Sequence, residues 1–160
     1  MEGIIFYILY RMVFSFVVYH SCSKVNDDLL EQLERRFQMA NAKKGLSGLL
    51  LFGNGLFFQY IEGAEKDVSE LLSKIKTDPR HNKIKVLLEG TVEERRFPNW
   101  SMAFKRLESN TVRNVLSTLD YDSLDKINGI KGRDKVWRLI SIFANINLCD
   151  RIDYGFLKSL

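Results

Sequence analysis

The sequence predicts an α+β fold, one sheet of five strands with two helices packed on one of its faces. Three observations carry that prediction. Short runs rich in Val, Phe, Leu and Ile alternate with two helical stripes; the first run is apolar on both of its alternating faces; and a Gly-Asn-Gly loop joins the second run to the third. A length of 160 residues suits one domain with a modest appendage. An apolar content of 46% against 28% charged residues is enough to build a core in an ordinary soluble protein.

Taken in order, Met12 to His20 reads as a strand, with Val13, Val17 and Tyr19 on one face and Phe14, Phe16 and Val18 on the other. A strand apolar on both faces is covered from both sides. Asn26-Asp27-Asp28 then offers capping oxygens and negative charge to the positive end of a helix. The helix stripe is Leu30, Leu33, Phe37 and Ala40, and Gly45 is a suitable glycine just past its end. Leu46 to Phe52 and Leu56 to Ile61 are strands joined by Gly53-Asn54-Gly55, a tight hairpin loop. A second helix spans about Glu65 to Thr77, buries Val68, Leu71, Leu72 and Ile75, and stops at Asp78-Pro79, because the residue before proline disfavours helix. Ile84 to Leu88 is a fourth strand, and Trp100 to Phe104 a short fifth one after Phe97-Pro98.

The resulting order, β-α-β-β-α-β-β, is the ferredoxin-like split βαβ pattern with one added strand. Both helices cover one sheet face. The tail supplies cover for the other, as short helices over Thr111 to Leu119 and Asp134 to Ile146. The expected division is therefore a domain over 12–107, a C-terminal helical extension over 108–160 and an apolar extension over 1–11 whose role the sequence does not reveal. Met12 is an alternative start.

Several function classes are disfavoured by composition. The net charge is +4, and the basic residues fall in pairs (Lys43-Lys44, Arg95-Arg96, Lys105-Arg106) instead of the dense stripe a nucleic acid requires. Cys22 and Cys149 form no C-x-x-C, and neither they nor His20 and His81 show metal-ligand spacing, so no metal is expected. Two unpaired cysteines fit a reducing, cytoplasmic compartment. Residues Gly3 to Tyr19 are almost continuously apolar, but Arg11 interrupts them near the middle, which disfavours a membrane span. No basic n-region or cleavage site marks a signal peptide either.

Three polar residues break the apolar pattern. Gln59 lies inside Leu56-Phe57-Phe58-Gln59-Tyr60-Ile61; Asn41 follows Phe37 by four and so continues the first helix's stripe; Tyr19 ends the first strand on its Val17 face. A buried amide without partners costs roughly 1–3 kcal/mol. Two carboxamides and a phenol beside one core therefore satisfy one another or a polar ligand. Taken singly, each has a plainer role: an amide bonded to a neighbouring backbone, a helix-end Asn, a strand-end Tyr.

In combination, these residues belong to an ordered set: Tyr19-His20-Ser21, a helix ending near Asn41, Gly45-Leu46-Ser47-Gly48-Leu49-Leu50, Phe57-Phe58-Gln59, Glu62-Gly63, Asp78-Pro79-Arg80-His81 and Arg96-Phe97-Pro98-Asn99-Trp100-Ser101-Met102. This set closely resembles the BLUF family, the blue-light sensors using FAD, over about Met12 to Leu107. The resemblance implies non-covalently bound FAD and a photoreceptor without catalytic turnover. It implies that Asn41 and Gln59 bond the flavin's polar edge, with Asp78, Arg80 and His81 near its sugar and phosphates. Tyr19 would give an electron and a proton to the excited flavin, and Gln59 would change its hydrogen bonding by rotation or tautomerisation. Trp100 and Met102, two apart on one strand face, would pass the change to the tail. A downstream signalling protein and a homo-oligomer are the implied partners, with no nucleic acid and no membrane. Two other readings compete: a light-independent ferredoxin-like regulator acting by protein contact, and a flavin oxidoreductase, which lacks a nicotinamide fingerprint here.

Overall fold

A computed structural model describes residues 12–106 apart from Lys24, Asn26 and Asn54. The elements run β1 (Phe14–Ser23), α1 (Asp27–Lys43), β2 (Ser47–Gly53), β3 (Leu56–Gly63), α2 (Glu65–Thr77), β4 (His81–Val92) and β5 (Ala103–Arg106). The expected tail helices, the segment before Met12 and the Asn26 cap lie outside the described residues.

The strands form one sheet in the order β4-β1-β3-β2-β5. Neighbours are antiparallel except β5, which adds to β2 in parallel. This is the expected ferredoxin-like arrangement with its fifth strand at an edge. β3 lies in the middle and is buried along its whole length, as a strand covered on both faces should be. Gly45 and Gly55 stand at φ +62° and +74°, where a side chain would strain the helix end and the hairpin loop.

Side chains alternate across the sheet and create two cores. On one face Val17, Tyr19, Leu50, Phe52, Phe57 and Ile61 pack under Leu30 and Leu33 of α1 and Val68 and Ile75 of α2. On the other, Phe16, Val18, Leu51, Phe58 and Tyr60 pack with Phe97. The two-faced β1 is therefore correctly anticipated. Val68 and Ile75 of α2 are buried as expected, and Leu71 and Leu72 are half-buried.

Some boundaries differ from expectation, for one reason: a strand ends where its pairing ends and not where its apolar run ends. β1 continues through Cys22 and Ser23, which pair with Leu56, Asn82 and His81, whereas Met12 and Val13 are exposed. β4 runs from His81 to Val92 because β1 offers a partner over that length. β5 begins at Ala103, not at Trp100. On α1, Ala40 is exposed and Asn41 takes the buried place, four residues on from Phe37. No helix among the described residues is long and apolar enough to cross a membrane.

Candidate functional site

Tyr19 and Gln59 are direct cross-strand partners of β1 and β3. Their side chains point to the helix-covered face, where Tyr19 is fully buried and Gln59 nearly so. The register of β1 against β4 shifts between Val18 and Tyr19, the kind of irregularity that re-aims a side chain beside a site. The Tyr19 hydroxyl donates to Gln59 Oε1. Gln59 Nε2 donates in turn to Met102 Sδ at 3.3 Å. In this orientation the NH₂ end faces the thioether sulfur, which accepts weakly and donates nothing, and the oxygen faces the phenol. Burial pushes the Tyr19 phenol far above its ordinary range, and the Asp78 carboxylate adds to the shift. Both effects favour the protonated phenol.

Beside this pair lies a cavity of about 210 Å³. Tyr19, Leu50, Phe57 and Gln59 form its floor on the sheet; Phe37 and Asn41 of α1 and Leu71, Lys74 and Ile75 of α2 form its walls. Asp78 and Arg80, from the turn after α2, and His81, the first residue of β4, complete its lining. The Asn41 backbone carbonyl accepts from Lys44 N and Leu46 N, which fixes the last turn of α1. Its carboxamide, in a residue only 5% exposed, bonds no protein group among the described residues. A buried amide without a protein partner, facing a cavity, fits a ligand with a polar edge.

At the far end Arg80 clasps Asp78 through Nε at 2.9 and 3.0 Å and through Nη2, and its backbone N–H also donates to Asp78 Oδ1. These bonds hold the Asp78 carboxyl below the usual carboxylate range. The Arg80 guanidinium stands over the Phe37 ring at 5.5 Å. His81 Nδ1 is hydrogen-bonded with Ser21 Oγ at 2.8 Å, and its ring lies 4.9 Å from that of Phe57. Burial pulls the His81 pKa down, the Asp78 carboxylate partly opposes this, and Arg80 reinforces it. His81 is therefore neutral near neutral pH.

The structure thus brings together Tyr19, Asn41, Gln59, Asp78, Arg80, His81 and Met102. It separates Trp100 from them. The expectation that Trp100 and Met102 share a strand face does not hold: both precede β5, and the chain bends at Ser101, so two-residue alternation does not apply. Met102 packs with the helix-side core, whereas Trp100 packs against the outer core, stacked on Phe97 at 6.0 Å. Sequence reasoning missed Lys74, which lines the cavity and pairs with Glu70 at 2.8 Å. Its position three residues after Leu71, at the border of the buried stripe, was the available signal. Gln38 was also missed; its amide reaches the Met102 carbonyl at 3.1 Å. Among the described residues no three His, Cys, Asp or Glu converge as a metal site.

Comparison with known proteins agrees with this geometry. The family model "BLUF: Sensors of blue-light using FAD" matches residues 14–103. The photoactivated adenylate cyclase subunit beta of Euglena longa is 33% identical over 96 residues, 60% of this chain and 11% of that protein. This chain therefore corresponds to a small part of that relative. Among solved structures, BlrB, a BLUF protein in its dark state, aligns with a TM-score of 0.59 at 28% identity, covering 82% of this chain and 96% of that one. A bacterial light-regulated adenylyl cyclase aligns with a TM-score of 0.61 at 28% identity, over 71% of this chain and 36% of that one.

Proposed function

The chain belongs to the BLUF family of blue-light sensors using FAD, and we propose that Tyr19, Gln59 and Met102 are its light-operated switch. The observation that carries this reading is the continuous chain of contacts that starts on the cavity floor at the Tyr19 hydroxyl and runs through the Gln59 amide to the Met102 sulfur. FAD, when bound, supplies absorption of blue light and an acceptor for one electron. Asn41 and Gln59 are the residues that would hold the polar edge of its ring. Asp78, Arg80 and His81 would stand near its sugar and phosphates. Arg80 is already paired with Asp78, so it meets an anion only by sharing that pair.

The protein's own part in switching follows from its hydrogen bonds. In the dark, the phenol keeps its proton and points it at Gln59 Oε1. Loss of an electron from the Tyr19 ring makes the phenol a strong acid, and Gln59 Oε1 is the acceptor in place. The electron and the proton then return to Tyr19, and a carboxamide that has meanwhile rotated presents its oxygen to Met102 Sδ; oxygen facing sulfur offers no hydrogen, so that bond is lost. The Met102 side chain is thereby freed to repack, a shift between two populations. Trp100, on the outer face, is assigned the part of responding to that movement without touching the switch.

The domain proper is taken as 12–107, with 108–160 as a C-terminal extension and 1–11 as an apolar extension of unassigned role; a downstream signalling protein or a second copy in the cytoplasm is the partner proposed. The sensor itself is assigned no catalytic turnover. Tyr19→Phe tests the reading: the variant is expected to retain FAD and lose the light-induced red shift, seen in a light-minus-dark absorption spectrum. A normal shift in that variant would sink the assignment of Tyr19. A colourless preparation of the parent protein would favour the light-independent regulator.

A further inference from the structure

We infer that Gln38 is a positioning residue that sets how long the switched state lasts by holding the backbone of Met102, an inference that rests on the switch proposed above. Gln38 lies on α1, one turn before Asn41, and does not line the cavity. Its Nε2 donates to the Met102 carbonyl at 3.1 Å and to Glu34 Oε1 at 3.3 Å. Both protons of that NH₂ thus go to acceptors, which fixes the orientation of the amide: turned over, its oxygen would face a carbonyl and a carboxylate.

Met102 is consequently gripped by two carboxamides, at the sulfur by Gln59 and at the carbonyl by Gln38. The chain on either side is anchored independently of the switch. Gly48 N donates to the Trp100 carbonyl at 3.0 Å, and Ala103 pairs with Leu49 in the sheet. When Gln59 turns, the sulfur contact is lost, but Gln38 still holds the carbonyl. The Met102 backbone stays where the sulfur contact can re-form, and return to the dark state is quick. Without the Gln38 donors, residue 102 settles away from Gln59 and must be recaptured before the amide can turn back. Gln38 touches neither Gln59 nor Tyr19 among the contacts described, so it acts through Met102.

The experiment measures decay of the red-shifted absorption after a blue pulse in Gln38→Leu, using the full chain with its FAD. Leucine suits a helix and cannot donate. Expected are unchanged flavin content and shift amplitude, with recovery slowed about five-fold for one lost hydrogen bond. Gln38→Glu keeps the shape and loses the donors; its carboxylate would face Glu34 and a carbonyl, so it should slow recovery at least as much. In a Met102→Leu background, where no sulfur contact exists to restore, Gln38→Leu should leave the recovery rate unchanged. A merely structural role would give the same fold-change in both backgrounds. Recovery unchanged or faster in Gln38→Leu, or an equal slowing in both backgrounds, overturns this inference alone. A parent that binds FAD but shows no red shift overturns the switch and this inference together.

Discussion

Each face of the sheet buries a tyrosine whose hydroxyl donates to a polar side chain of β3, and the two arrangements differ in what is left over. On the outer face Tyr60 donates to Glu62 Oε2 at 2.9 Å. Glu62 is fully buried and also accepts from Ser47 Oγ, Arg96 N and Phe97 N. On the helix face Tyr19 donates to Gln59, whose remaining capacity and the bare carboxamide of Asn41 both adjoin a cavity. Burial pushes both phenols far above their ordinary range, reinforced by Asp78 in one case and by Glu62 in the other. A buried tyrosine with a raised pKa therefore does not distinguish a site from a structural network. The partner does. A carboxylate only accepts, so turning it exchanges like for like; a carboxamide has unlike ends, so turning it changes what its neighbours feel.

The comparison breaks first if the outer network proves dispensable. Glu62→Ala strips one partner from four donors in a fully buried place, and the expected cost is about 3–5 kcal/mol in chemical denaturation. Tyr19→Phe, by contrast, removes one hydrogen bond to a neutral amide, and its cost should stay near 1 kcal/mol while the light response is lost. A Glu62→Ala variant as stable as Tyr19→Phe would show that the full set of partners holds nothing together.

Asn41 sharpens the comparison from the other side. If its amide is kept for a ligand, Asn41→Ala should leave the stability of the flavin-free protein almost unchanged. It should weaken FAD binding about ten-fold, the loss of one good hydrogen bond. Flavin fluorescence titration of the apoprotein measures one quantity and denaturation the other. A variant that loses stability and keeps its affinity would place Asn41 with Glu62, as a structural residue.

How much of this was legible in the sequence follows from which physics each feature uses. β1 with two apolar faces, the helix stripes and the order of elements all come from local periodicity, which a sequence displays directly. Tyr19, Gln59 and Asn41 were visible as polar residues in apolar settings, although their convergence needed the resemblance to name it. The site features that escaped depend on contacts distant in the chain. Gln38 meets Met102 across 64 positions, and nothing in Glu34-Arg35-Arg36-Phe37-Gln38 marks it as more than a solvated helix face. The Trp100–Met102 expectation failed because it assumed an extended strand where the chain bends at Ser101. The four donors of Glu62 were hidden for the same reason as Gln38: two of them are backbone N–H groups 34 and 35 residues away, and every residue but proline has one.

The smallest effect separates the two faces by pH. Among the described residues each face carries one histidine: His20, which follows Tyr19 on β1 and so by alternation belongs to the outer side, and His81 at the end of the cavity. Burial lowers both pKa values; Lys85 lowers that of His20 further, whereas Asp78 partly restores that of His81 and Arg80 counters it. The unfolded chain has both near 6.5, so as pH falls the unfolded state takes up protons first. The stability each neutral ring contributes is fully present above about pH 6.5 and is lost as pH falls toward the folded-state values. His20 Nδ1 is buried without a partner among the described residues, and no carboxylate offsets its charging, whereas His81 has Ser21 and Asp78 nearby. His20→Gln should therefore remove more of the acid destabilisation than His81→Gln, compared by denaturation midpoints at about pH 7.5 and 5.5 on either side of the ordinary histidine value. FAD affinity should follow the reverse order, its pH dependence altered by His81→Gln and untouched by His20→Gln. Equal responses in both measurements would mean that the sheet does not partition its polar groups into a holding face and a working one.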